Sequence, residues 1–262
     1  MITFYCHNVW NHNPTGYRNK LIRELISKEG ADVCAFQECG PETIRVGDDA
    51  LPVLLSDEYC EVLPELCDRN FTPVFYKKEK FNLLDCGYFL YTGLNDVNSK
   101  SVTWAYLEEM STGKRAIFAA THFWWKEEGE INNLQRIENA RQLKDFCAEM
   151  TERYNVPVII GGDFNNGKNA EAGDAPYRAM LEMGFCDTRL FAKKTTEAYT
   201  HHDYPEELPD GSYRNGPLPV RNLDNIFVYG KSVAELMQFD VLTSQMALDS
   251  SDHCPLVARL EL

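Results

Sequence analysis

The stretch VPVIIGGDFNNGKN, residues 156–169, decides how the rest of the chain is read. Counted from Gly162, its glycines and lysine have the spacing of a nucleotide-binding P-loop, whose consensus then demands Ser or Thr to hold magnesium. Asn169 stands at that position, and no apolar helix follows Lys168 directly. Counted instead from the apolar run at 156–160, the same residues form a strand that delivers Asp163 and Asn165 at its end. A carboxylate and an amide two positions apart can there face one pocket. This second reading asks for other strands that end on polar residues.

The chain supplies them. Residues 2–9 are β-rich and end near Asn8; residues 17–29 carry apolar side chains at the helical period and stop at Gly30. Residues 31–37 form a short apolar run that ends at Glu38. In open α/β sheets, ligands bind at such strand ends. Residues 72–76, 81–91, 101–107 and 115–123 read as successive strands separated by turn clusters. Residues 131–154 read as a long amphipathic helix with Ile131, Leu134, Ile137, Leu143, Phe146, Cys147 and Met150 on its apolar stripe. A short helix is expected at 175–183 and late strands at 223–229, 239–243 and 255–260. Consecutive strands in two helix-linked groups predict two sheets packed together with helices outside, in one domain spanning 1–262. Residues 201–219, dense in Pro, Gly, Asp and Glu, read as an irregular loop containing His201 and His202.

The chain has 262 residues, 44% of them hydrophobic and 25% charged, enough for a large core. Its net charge of −14 argues against a general grip on a nucleic-acid backbone, although a bound cation can reverse the sign locally. Nine cysteines, none in a C-x-x-C pair, lie mostly in apolar runs and read as buried thiols, not as a disulfide frame or zinc site. No run approaches the roughly 20 apolar residues that span a bilayer. The N-terminus reads as a first strand and not as a signal peptide, which makes a cytoplasmic setting the expectation.

Polar residues thus close the strands at Asn8, Glu38, Asp163 and Asn165, while Asp224 opens one strand and Asp252-His253 precedes another. Each alone has an innocent explanation as a cap or turn. Together, Glu38 and Asp252 offer the oxygen ligands that a hard cation wants, and His253 can serve as base or cation if Asp224 fixes its tautomer.

The ordered set Asn8-Val9, Phe36-Gln37-Glu38, Thr121-His122, Gly162-Asp163-Phe164-Asn165, Leu223-Asp224-Asn225 and Ser251-Asp252-His253-Cys254-Pro255 resembles the endonuclease/exonuclease/phosphatase superfamily, the deoxyribonuclease I-like fold, along essentially the whole chain. The resemblance implies a four-layer α/β sandwich of two mixed β-sheets with helices on the outer faces. It further implies a Mg2+- or Mn2+-dependent hydrolase of phosphate esters, diesters before monoesters. Glu38 would be the chief metal ligand, with Asn8 and Asp252 close to the same ion. Asp163 would orient or deprotonate water, Asn165 and His122 would hold phosphate oxygens, and His253, oriented by Asp224, would steady the developing charge or share in proton transfer. Which of Asp163 and His253 is the base stays open, since the two groups are coupled.

Two positions depart from the family's pattern. Trp124 and Trp125 stand where relatives often carry Asp-His, and they can stack on a substrate ring or pack in the core. Lys100 stands where arginine is common and offers a point charge without a bidentate fork. Asn70 falls where relatives place a polar active-site residue and is a candidate for substrate contact, or only makes a turn. Arg136 and Arg141 read as surface or inter-element contacts. The substrate expected is a phosphate ester, possible classes being a small nucleotide, a sugar phosphate, a lipid headgroup or a nucleic-acid end. The alternatives are a nuclease of single-stranded ends, as in the deadenylase branch, and a non-catalytic phosphate-ligand-binding protein of the same fold.

Overall fold

The computed structural model describes the chain apart from residues 12–15, 66, 68, 127–128, 166–174, 197, 203–205, 210–212, 215–220 and 232. Strand β1 (Ile2–Asn8) is buried throughout, and its alternating side chains serve two cores. Ile2, Phe4 and Cys6 face the opposing sheet, while Tyr5 packs with the helical layer behind. Helix α1 (Tyr17–Glu29) presents Ile22, Leu25 and Ile26 to that outer layer. It stops where Gly30 takes φ 64°, the left-handed conformation that glycine adopts without a Cβ clash. Strand β2 (Val33–Gln37) then returns parallel to β1, with Asn8 opposite Gln37, so Glu38 leaves the sheet beside Asn8.

The first sheet continues with β3 (Tyr59–Glu61), β4 (Val74–Lys77), β10 (Lys194–Thr195), β14 (Glu235–Val241) and β15 (Leu256–Glu261), in the order β10-β14-β15-β1-β2-β4-β3. The second contains β5 (Phe81–Leu90), β6 (Ser101–Glu109), β7 (Arg115–His122), β8 (Pro157–Asp163), β9 (Cys186–Asp187) and β13 (Asp224–Gly230), in the order β5-β6-β7-β8-β13-β9. Both sheets are mixed: β1 with β2 and β7 with β8 run parallel among antiparallel neighbours. A separate two-stranded ladder joins β11 (Glu206–Glu207) and β12 (Tyr213–Arg214).

One core lies between the sheets, where the rings of Phe4 and Phe118 meet at 5.5 Å. A buried side chain of this size contributes about 1.5–3 kcal/mol. The sheets approach closely at Gly161, where a Cβ would come within 2.8 Å of Cys6 Cβ and Sγ. On one outer face, α1 packs with α2 (Leu51–Leu55) and α6 (Gln245–Ser250). The other outer face holds α3 (Glu130–Tyr154) and α4 (Ala175–Glu182). The short α5 (Thr188–Phe191) follows β9. The expected four-layer sandwich is therefore the observed fold.

The apolar stripe of α3 differs from the sequence reading. Ile131 and Leu134 are 70% and 57% exposed, while Leu143, Cys147 and Met150 are buried. Polar residues take the buried positions of the helix's first half. Arg136 Nη1 donates to the carbonyls of Trp124 and Lys126 at 3.2 and 2.8 Å, and Asn139 Oδ1 accepts from Trp124 N at 3.1 Å. This part of α3 covers backbone, which needs hydrogen-bonding partners more than apolar area. Arg141 stays on the surface, paired with Glu138 and Asp145. All nine cysteines are free thiols, and no described helix is long and apolar enough to cross a membrane.

Candidate active site

The registers of the second sheet line up three side chains at one level. His122 at the end of β7 pairs with Asp163 at the end of β8, and Asp163 pairs with Asp224 at the start of β13. Gly162 and Asp163 are thus strand residues, and a P-loop would already have left the strand there. Gly167, Lys168 and Asn169 lie outside the described residues. The first sheet contributes Asn8 and Glu38 from the ends of β1 and β2, and Asp252 with His253 from the approach to β15. One hydrogen bond joins the sets across the sheets, from Asn8 Nδ2 to Asp163 Oδ2 at 2.9 Å, and the same nitrogen donates within its own sheet to Glu38 Oε1 at 3.2 Å.

Glu38, at φ 54°, and Asn165, at φ 49°, hold the left-handed backbone that non-glycine residues seldom adopt. At Glu38 the turn swings the carboxylate back over the strand end, where Asn11 N donates to Oε2 at 3.2 Å. At Asn165 the backbone N–H donates to Asp163 Oδ1 at 2.9 Å and the side-chain amide to Phe123 O at 3.2 Å. Such strain persists where the surroundings over-determine it, commonly at functional sites.

His253 Nδ1 lies 2.8 Å from Asp224 Oδ2, and its Nε2 lies 3.9 Å from Asp163 Oδ2. Burial works against a charge on this imidazole. The carboxylates of Asp224, Asp252 and Asp163 outweigh it and hold the ring well above the ordinary histidine range. Burial and the neighbouring Asp224 push the Asp163 carboxyl up to about 7, against the pull of His253. Asp252 is raised to about 6, first by burial. His122 lies 3.4 Å from Asp163 Oδ2, and its ring nitrogens lie 3.1 and 3.3 Å from Lys100 Nζ. Burial, then the Lys100 ammonium, drive His122 well below the usual value and keep it neutral.

These groups open onto a cleft of about 530 Å³, bordered by Glu38, Asp163, Asn165, Asp252, His253 and Lys100. Glu38, His122 and Asp163 form one group whose ligand atoms lie close enough to share an ion, and His201, Asp252 and His253 form another.

At three of the expected site residues the structure adds contacts that the sequence left open. Asn8 directs its amide nitrogen at Glu38 and Asp163, while its Oδ1 accepts from Trp10 N at 3.0 Å. It bridges two carboxylates that repel one another. Trp124 is buried, and its Nε1 donates to Asn132 Oδ1 at 2.8 Å, so it packs away from the substrate. Asn70 is buried too: its Oδ1 accepts from Thr72 N and Thr103 Oγ1, and the neighbouring Phe71 borders the cleft in its place. Trp125, by contrast, does stand at the cleft.

Other contributors carry no local sequence signal. Arg18, fully buried, donates to the carbonyls of Val9, Trp10 and Ser250 at 2.7, 2.8 and 3.2 Å, tying the exit of β1 to the segment that bears Asp252. His7 sits between Tyr5 OH, 3.0 Å from Nδ1, and the carbonyl of His253, 3.1 Å from Nε2. Burial takes His7 down to about 3, so the neutral ring donates to that carbonyl and steadies His253. His201, placed by the sequence in a loose loop, is buried with its ring 4.6 Å from that of His253.

No protein-family model matches the sequence, and no curated protein matches it. Solved structures do, over nearly the whole of both chains. A mannosyl-6-phosphatase from Bacteroides thetaiotaomicron is 20% identical, covers 100% of each chain and superposes with a TM-score of 0.74. An endonuclease/exonuclease/phosphatase protein from Bacteroides vulgatus is 22% identical, with coverage of 100% and 98% and a TM-score of 0.76. The human nocturnin catalytic domain, solved with a bound sulfate anion, is 18% identical, with coverage of 99% and 94% and a TM-score of 0.65. What these proteins share with this chain is the fold.

Proposed function

We propose that this chain, which has the endonuclease/exonuclease/phosphatase fold, is a divalent-metal-dependent hydrolase of phosphate esters, acting on diesters before monoesters. The observation that carries the reading is the junction at Asn8, where Glu38 and Asp163 from opposite sheets meet beside the His253–Asp224 pair.

The donor set fits a hard dication. Glu38, Asp163 and Asp252 are oxygen donors, and Glu38 adds to the pressure that raises both aspartates. Glu38 would anchor Mg2+ or Mn2+, with Asp163 beside it in the same group and Asp252 in the neighbouring one. When bound, the ion supplies Lewis acidity toward a phosphate oxygen and offsets the crowded negative charge.

The protein's own groups then divide the work. Protonated His253, held by Asp224, donates a hydrogen bond to a phosphate oxygen as charge accumulates in the in-line displacement. Asp163, poised near neutrality, accepts the proton of the attacking water. A cationic His253 leaves Asp163 as the better base, and this favours one side of the question the sequence left open. Lys100 adds positive charge behind His122, and Asn165 orients Asp163 through its backbone N–H. The acidic chain and a cleft of about 530 Å³ favour a small ester over long nucleic acid.

The test is a panel of phosphodiesters, phosphomonoesters and short single-stranded oligonucleotides, assayed with magnesium, manganese or chelator for the wild type and His253→Ala. Chelator-sensitive turnover lost in the variant supports the reading. Turnover indifferent to both chelator and substitution refutes it.

A further inference from the structure

The cleft has another wall that hydrolysis does not use. Trp125 borders it, 48% exposed, and its Nε1 donates to Asp96 Oδ2 at 2.7 Å. The other Asp96 oxygen accepts from Ser99 Oγ at 3.1 Å. Asn95 closes this turn onto Lys100, its Oδ1 accepting from Lys100 N at 3.0 Å and its Nδ2 donating to Lys100 O at 2.9 Å. An exposed indole ordinarily settles onto the nearest apolar surface. Here a carboxylate pins the edge of the ring and keeps the indole at the cleft, with Trp124 on its flank at 6.5 Å.

An aromatic face alone does not choose between a base and a sugar. The groups beside it narrow the choice. Asp96 is an acceptor only, and each of its oxygens keeps a second lone-pair site after its protein donor is counted. Its negative charge repels a second phosphate, and Ser99 and Asn11 add small polar groups to the same cleft. Such a wall suits a body that stacks, donates several hydroxyl hydrogen bonds and is itself uncharged. Asp96, Ser99 and Lys100, which reaches His122 on the reaction side, belong to one short turn, and Trp125 is tied to that turn through Asp96. This wall and the reacting groups line one cleft, which suits a ring carried on the same small molecule as the phosphate.

We propose that Trp125 and Asp96 form a subsite for a hydroxylated six-membered ring, which makes the preferred substrate a sugar or cyclitol ester of phosphate, diester before monoester. Only the phosphate end of this assignment rests on the phosphoester reading. The C–H face of the ring lies on the indole, and adjacent hydroxyls donate to Asp96.

Equilibrium binding to the Asp163→Asn protein tests this without turnover. The ligands are a hexose 6-phosphate, a nucleoside 5′-monophosphate, inorganic phosphate and an unphosphorylated methyl hexoside, read by calorimetry and tryptophan fluorescence. The hexose phosphate should bind about tenfold or more tighter than inorganic phosphate, a margin of ~1.4 kcal/mol. Adding Trp125→Ala or Asp96→Ala should cut that margin to about threefold or less and abolish quenching by the methyl hexoside. Phosphate binding with no gain from the sugar, or a margin untouched by either substitution, overturns the subsite and leaves the phosphoester reading standing. Tighter binding of the nucleotide than of the hexose phosphate also overturns it. Hexoside quenching that depends on Trp125, in a protein that binds no phosphate, upholds the subsite and removes the phosphoester reading.

Discussion

Replacing Asp224 with asparagine isolates the contribution of the His253 charge. The two side chains are almost wholly buried and meet at 2.8 Å, so this is a charge-assisted hydrogen bond with little solvent screening. Hydrogen bonds to charged groups contribute about 1.5–3 kcal/mol, equivalent to roughly 10- to 150-fold in rate if the whole interaction is lost in the transition state. The substitution also has a direction in pH. Asp224 is the largest influence raising His253 against its burial, so without that charge the imidazole gives up its proton at lower pH. The alkaline limb of kcat/KM should move toward neutrality, and the acidic limb, set by Asp163, should move to lower pH because Asp224 no longer raises that carboxyl. Asp252 and Asp163 remain to attract the cation, so activity should partly recover on mild acidification. The assay is kcat/KM against pH on the best substrate of the panel, with an NMR titration of the His253 ring beside it. An unmoved alkaline limb and a rate within about threefold of wild type would refute the assignment of His253 as a catalytic cation.

Three further outcomes are expected. Asp163 is raised in the folded protein, so the native state binds more protons than the unfolded one between about 4 and 7, and stability falls as pH rises through that window. Metal-free Asp163→Asn should therefore melt several degrees above wild type at pH 8, an offset on the order of 1–3 kcal/mol that vanishes near pH 4; a lower Tm at pH 8 would contradict it. Arg18→Met leaves the carbonyls of Val9, Trp10 and Ser250 without their donor and should cost about 3–5 kcal/mol in urea unfolding, with Arg18→Lys recovering part of both stability and kcat/KM. Trp124→Phe loses the bond to Asn132 and part of a buried ring, so it should cost about 1–3 kcal/mol in thermal unfolding and leave turnover within about twofold.

Helix α1 and the strands that carry the site were legible in the sequence because their signals are local. Gly30 ends α1 at the residue its left-handed turn requires, and the alternation in β1 needs only its own seven residues. The convergence of Asn8, Glu38, Asp163, Asp224 and His253 was legible as a pattern of polar strand ends, although the distances among them come from the registers of β1 with β2 and of β8 with β13 and from the packing of one sheet on the other. What the sequence hid depends on partners far along the chain. Arg18 is an ordinary surface-type residue on a helix until the carbonyls of residues 9, 10 and 250 are brought to it. His7 and His201 acquire meaning only against His253. Ile131 and Leu134 followed the helical period, yet both side chains stay largely exposed among the described residues. The pair Trp124 and Trp125 divides between core and cleft, a difference that adjacency in sequence cannot express.

The central claim is that Glu38, reaching across to Asp163 through Asn8, anchors the ion on which hydrolysis depends. Metal-stripped protein should therefore be titrated with Mn2+ while the initial rate on an activated phosphodiester is followed, for wild type and Glu38→Gln. The expected result is negligible turnover before addition and, in the variant, an apparent metal constant at least about tenfold weaker with a lower plateau. Full turnover by the stripped enzyme, or titration curves that superimpose for the two proteins, would contradict it.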